Sequence, residues 1–126
     1  MLEKAVEDNP KDARALYYLG REYGYYKEYE KVQETLEKYI SLSTWLPERA
    51  DAFFMLALAY WFDGKGNGEK ARQNCLKAIS INANFKAPLL LMAAMSFEKN
   101  AKQWRKMAET ANNEDTLFTR ENFNMF

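Results

Sequence analysis

Apolar positions recur along this chain at helical spacing, and one arrangement of them appears twice in nearly the same spelling. Ala13, Leu16, Leu19, Gly20 and Tyr23, continued by Tyr29, Val32 and Leu36, are echoed by Ala50, Phe53, Leu56, Ala57 and Tyr60, continued by Ala71, Cys75 and Ala78. Steps of three and four place each set on one face of a helix. The small residue after each central leucine, Gly20 or Ala57, lets a second helix approach closely. A weaker third copy, with Leu89, Met92 and Ala93, loses the tyrosine to Ser96. The pattern predicts a short helix over 2–8 and then three antiparallel helix pairs, at 12–25 with 28–42, 48–62 with 68–81, and 85–98 with 100–112. Pro47 and Glu48 suit the first turn of the fourth helix, where a missing N–H costs nothing and a carboxylate meets the positive helix end. Glycines at 64, 66 and 68 stop that helix.

Composition narrows what such a chain can do. At 126 residues it is one domain, and helix formers dominate over 3 prolines and 5 glycines. Lysine plus arginine and aspartate plus glutamate both number 18, so no overall field argues for nucleic acid or anionic lipid as partner. No apolar run approaches the roughly 18 residues of a membrane span, and Met1-Leu2-Glu3-Lys4 does not read as a signal peptide, so the expected location is the cytoplasm. A single cysteine, Cys75, excludes an internal disulfide and fits a reducing compartment. Histidine is absent, which removes the commonest general base and metal ligand. One thiol without a histidine makes neither the usual activated nucleophile nor a structural zinc site. The expectation is a non-catalytic chain with no metal and no cofactor.

Leu19 to Leu56 spans 37 positions and Leu56 to Met92 spans 36. With the residues above, this spacing resembles the tetratricopeptide repeat, whose period is about 34 residues. The resemblance implies an all-α, right-handed superhelical array of antiparallel helix pairs. Residues 1–10 would end a truncated repeat, since Leu2, Ala5 and Pro10 match the close of a second helix. Residues 11–47 and 48–84 would be full repeats, 85–112 a degenerate one, and 113–126 a tail or cap. A chain opening inside a helix is expected to be a piece of a longer protein. In this repeat class the first helix of each pair lines a concave groove. The carry-over places Arg14, Tyr17, Arg21 and Tyr25 there from the first pair, Phe54, Leu58, Trp61 and Phe62 from the second, and Leu90 and Phe97 from the third. Aromatic anchors and an arginine pair would then hold a peptide or partner domain and its carboxylate or phosphate. The same side chains are also what a neighbouring domain, a second copy of the chain or its own tail would cover. Apolar Phe54, Leu58 and Leu90 do not match the family's chaperone-tail carboxylate clamps.

Smaller features read more plainly. The Gly64–Gly68 stretch invites a phosphate-cradle reading, but it lacks the Gly-Lys-Ser/Thr ending and follows a helix, which makes it an inter-helix turn. Cys75 falls at a helix-packing position. The last ten residues carry Leu117, Phe118, Phe123, Met125 and Phe126, either a cap on the last pair or the start of something further. A narrower resemblance rests on Asn9-Pro10-x-Asp12-x-Arg14-x-x-Tyr17-Tyr18-Leu19, on Trp45-x-Pro47-Glu48 and on Asp115-x-Leu117-Phe118. These are similar to the repeat region that trails certain family 2 glycosyltransferases. That resemblance implies an accessory domain of a larger transferase, aiding acceptor binding or dimerisation, with the catalytic domain of the same parent chain as partner.

Overall fold

The computed structural model describes residues 2–111, and every regular element among them is an α-helix. In chain order these are α1 (Leu2–Asp8), α2 (Ala13–Tyr25), α3 (Tyr29–Leu42), α4 (Leu46–Phe62), α5 (Gly68–Ile81), α6 (Lys86–Ala94) and α7 (Glu98–Thr110). The tail residues Leu117, Phe118, Phe123, Met125 and Phe126 lie outside the described residues.

Successive helices run antiparallel, because their contacts pair in opposite order. Gly20 faces Leu36 while the Tyr17 ring meets Tyr39 at 5.7 Å, joining α2 to α3. Tyr29 stacks on Phe62 at 6.3 Å, and Tyr39 donates to Glu48 at 2.9 Å, joining the start of α3 to the end of α4 and the reverse. Lys77 lies over Phe53 and Lys70 over Tyr60, which orders α5 against α4. The α2/α3, α4/α5 and α6/α7 turns therefore share one edge of the molecule. The α3/α4 and α5/α6 turns share the other.

Local chemistry explains where each helix stops. Asp12 caps α2 by accepting from the Ala15 N–H at 3.2 Å. At its far end the Lys27 N–H bonds the Gly24 carbonyl at 3.0 Å and the Glu28 N–H bonds the Tyr23 carbonyl at 3.0 Å, with Lys27 left-handed at φ 56°. This is a Schellman closure built on lysine where glycine is usual. Arg49 closes α3 from the next helix, donating through Nη1 to the Ile40 carbonyl at 2.7 Å and to that of Ser43. Helix α4 starts at Leu46, two residues earlier than expected, so Pro47 sits inside the first turn. Helix α6 ends at Ala94, short of the expected 98. There the Ser96 hydroxyl turns back onto the Met92 carbonyl at 2.5 Å, and Phe97 becomes the N-cap of α7.

The core centres on α4, in which every residue from Ala50 to Ala59 is buried. A helix covered all round is one packed on several sides at once. Gly20 is required by close approach: a Cβ there would lie 2.5 Å from Leu36 Cδ2, and Leu36 is itself fully buried. Cys75 is a core residue whose thiol donates to the Pro88 carbonyl at 3.0 Å. Burial pushes its pKa up to about 12.

Candidate functional site

The side chains expected to line a groove divide into three groups. Tyr17, Phe54 and Leu58 belong to the core and offer no surface for a ligand. Tyr17 packs against the rings of Tyr18 and Tyr39, and Phe54 meets the buried ring of Phe85 edge-on at 5.5 Å. Leu58 is enclosed because α4 has no free face along 50–59. These assignments are corrected accordingly: what reads as a groove face on α4 is covered by its neighbours. Arg21 is half-buried.

The exposed group sits mostly at the shared edge of the α2/α3, α4/α5 and α6/α7 turns. Tyr25, at the end of α2, and its neighbour Tyr26 are exposed, as are Trp61 and Phe62 at the end of α4. Phe97 is 89% exposed on the α6/α7 turn, on a different element from the one expected. Leu90, on α6, is also exposed. Trp61 packs by the start of α5, where a Cβ on Gly68 would lie 3.8 Å from its ring. A row of large apolar side chains at one rim is the type of surface that partners cover.

The loop beside this rim is closed by Asp63. Its carboxylate accepts from the Lys65 N–H at 2.9 Å, from Asn67 Nδ2 at 2.7 Å and from Gln33 Nε2 at 2.9 Å. Burial on its own would raise the Asp63 pKa; the Lys65 N–H and the Asn67 and Gln33 amides outweigh it and lower the pKa. A carboxylate of the chain thus takes the backbone donor that a phosphate would need, while Lys65 pairs with Glu30. Positive φ at Gly64 and Gly66 shapes this turn.

Arg14 lies at the opposite end of α2 and is not free to meet an incoming anion alone. Its Nη2 donates to the Tyr18 hydroxyl at 3.2 Å, and its Nε lies 3.7 Å from Glu48 Oε2. The Tyr18 hydroxyl, and behind it Glu48, push its already high pKa further up. Its guanidinium carbon is 5.8 Å from the Tyr18 ring centroid and 5.4 Å from that of Trp45. Glu48 is only 1% exposed, so its part is a buried pair with Tyr39 and Arg14 rather than a surface carboxylate at a helix start. Sequence reasoning missed this cluster of Arg14, Tyr18, Tyr39, Trp45 and Glu48. The one available signal was that two of the three stretches carrying the narrower resemblance contribute most of it.

Elsewhere a concavity of about 280 Å³ opens between α1, α2 and α3, walled by Val6, Leu16, Leu19, Glu3, Lys31 and Glu34. None of the expected groove residues lines it. The Tyr23 hydroxyl donates to Glu3 across this space at 3.1 Å; burial first, and that bond second, push its pKa up to about 12. Among the described residues no three acidic or thiol side chains gather as metal ligands, and no helix is long and apolar enough to cross a membrane. No family model, no curated protein and no solved structure matches the chain.

Proposed function

We propose that this chain is a tetratricopeptide-type helical array that holds a protein or peptide partner and performs no chemistry of its own. The observation that carries the reading is the apolar rim of Tyr25, Tyr26, Phe62 and Phe97, which includes the two most exposed large apolar side chains described, Phe97 at 89% and Tyr26 at 72%. Leu42, Trp45 and Leu46 are exposed to a lesser degree at the opposite edge. Two features support the array. Helices pair antiparallel in order, and the two small residues expected at the helix contacts, Gly20 and Ala57, are both buried. In such an array each pair leaves an apolar face for its neighbour, and successive turns of one edge lie side by side.

The test compares capture by the wild type with capture by Tyr25→Ser/Phe62→Ser, and uses Leu76→Ser, an exposed residue in the middle of α5, as control. The reading expects specific partners, identified by mass spectrometry, to be lost from the rim variant and kept by the control, with wild-type helical content in both. Equal capture by all the proteins would sink it.

A second reading, an accessory domain of a larger family 2 glycosyltransferase, draws support from one observation. Arg14 from one stretch of that resemblance lies 3.7 Å from Glu48 and over the ring of Trp45 from another. Its test is to place Trp45→Ala in the full-length gene product and follow acceptor use and dimerisation. Neither would change if the domain serves another role.

A further inference from the structure

We propose that Glu48, Trp45 and Tyr18 form a receptor for a cationic side chain of the bound partner, a guanidinium or ammonium group, and that Arg14 fills this receptor in the unbound chain. The proposal deepens the partner-holding reading and rests on it.

Glu48 is the unusual residue here. It is 1% exposed, and Oε1 accepts from the Tyr39 hydroxyl at 2.9 Å. Oε2 is fully buried and accepts no hydrogen bond among the described residues. Its cation, Arg14 Nε, stands at 3.7 Å, inside ion-pair range but beyond hydrogen-bond distance. A buried carboxylate is ordinarily both paired and hydrogen-bonded, since leaving a lone pair unmet in a dry site is costly. This one is neutralised but not fully bonded.

The surroundings are built for a cation. Two aromatic rings, those of Tyr18 and Trp45, lie within about 6 Å of the guanidinium carbon, close enough for their faces to attract positive charge. Ring faces beside a carboxylate favour a cation over an anion. Arg14 is held by a bond to the Tyr18 hydroxyl and by the two rings, but its side chain is 58% exposed, and contacts so open to water add little to stability. A partner's guanidinium or ammonium group entering there would give Oε2 the charge-assisted hydrogen bond it lacks. Arg14 would then swing into solvent, where its charge is well hydrated.

Placement adds a constraint on the partner. Arg14 and Tyr25 are eleven residues apart on α2, about 16 Å at the helical rise. An extended segment covers that distance in about five residues. The partner segment should therefore carry its basic residue about five positions from the apolar side chains that cover the rim.

The experiment removes the internal occupant and offers a small one. Arg14→Ala is titrated by calorimetry with N-acetyl-arginine methylamide, with the lysine analogue, and with the uncharged citrulline analogue of nearly the same shape. The expected result is saturable binding of at least one cationic probe, at least tenfold tighter than to the wild type. That binding should be absent for citrulline and lost again in Arg14→Ala/Glu48→Gln. Binding no tighter than wild type, or equal binding of citrulline, overturns the proposal. If Arg14→Ala lacks the wild-type circular-dichroism spectrum, Arg14→Met, which keeps the apolar stem over the rings, replaces it. Failure of both to fold also overturns the proposal, because an exchangeable occupant cannot be essential to folding. The probes require no protein partner, so equal partner capture by the wild type and the rim variant, with arginine binding retained, would count against the partner-holding reading alone.

Discussion

Adding one methyl group at Gly20 should destabilise the protein, and removing the side chain it strikes should cancel the effect. The Cβ of Gly20→Ala would lie 2.5 Å from Leu36 Cδ2 and 2.7 Å from Cγ. Neither atom belongs to a side chain with room to move, because Leu36 has no exposed surface. Overpacking of this kind costs about 1–3 kcal/mol. Against it stands the higher helix propensity of alanine, about 1 kcal/mol. The net expectation is a loss of about 1 kcal/mol. Leu36→Ala alone should cost about 2–5 kcal/mol as a buried truncation. In that background the new methyl meets a void, so Gly20→Ala should become neutral or stabilising. The double variant also gives the first helix pair the residues found at the corresponding positions of the second, Ala57 and Ala78, both fully buried. Urea titrations of the four proteins, followed by helical circular dichroism with a common slope, measure the coupling. The close approach predicts a coupling of about 1–3 kcal/mol; additivity within about 0.5 kcal/mol would refute it.

Other consequences can be checked with the same titrations. Leu56→Ala, at a fully buried position of α4, should lose roughly 2–5 kcal/mol; a melting curve matching the wild type would show that the helix is misregistered. Lys27→Gly should gain about 0.5–1 kcal/mol, because relief of a left-handed lysine, about 1–2 kcal/mol, exceeds the added chain entropy. A loss there would mean that the Schellman turn is wrongly drawn. Asp63 has a lowered folded pKa, so its stabilising contribution is complete above its ordinary value of 3.8 and fades as pH falls through the folded value. The advantage of wild type over Asp63→Asn should therefore be flat near neutrality and shrink on acidification, and an advantage that grows in acid would contradict the assigned bonds.

Helix limits were largely legible because the stop signals are local. Asp12 caps, Gly64 and Gly66 turn, and apolar spacing restarts after each break. The one large error, the end of α6, fell where Leu89-Leu90-Leu91-Met92 runs on without a glycine or proline. A serine hydroxyl folding back on the helix supplies the stop instead. The candidate surface was less legible for a different reason. Helical spacing says which residues share a face, but not which neighbour covers that face. Phe54 and Phe62 lie on the same helix, yet one meets Phe85 in the core and the other stacks on Tyr29 at the rim. Glu48 shows the same limit: a carboxylate in a first turn reads as a dipole partner until Tyr39 arrives from the preceding helix and Arg14 from the one before it.

The claim that this array holds a partner by its apolar rim is tested most directly by mapping the contact itself. A photo-crosslinking amino acid placed at Phe97, at Tyr26, or at Leu76 in the middle of α5 reports which surface lies against a bound protein in cells. The account predicts a shared crosslinked partner from Phe97 and Tyr26 and none from Leu76. Crosslinks from Leu76 alone would place the interface away from the rim and contradict it.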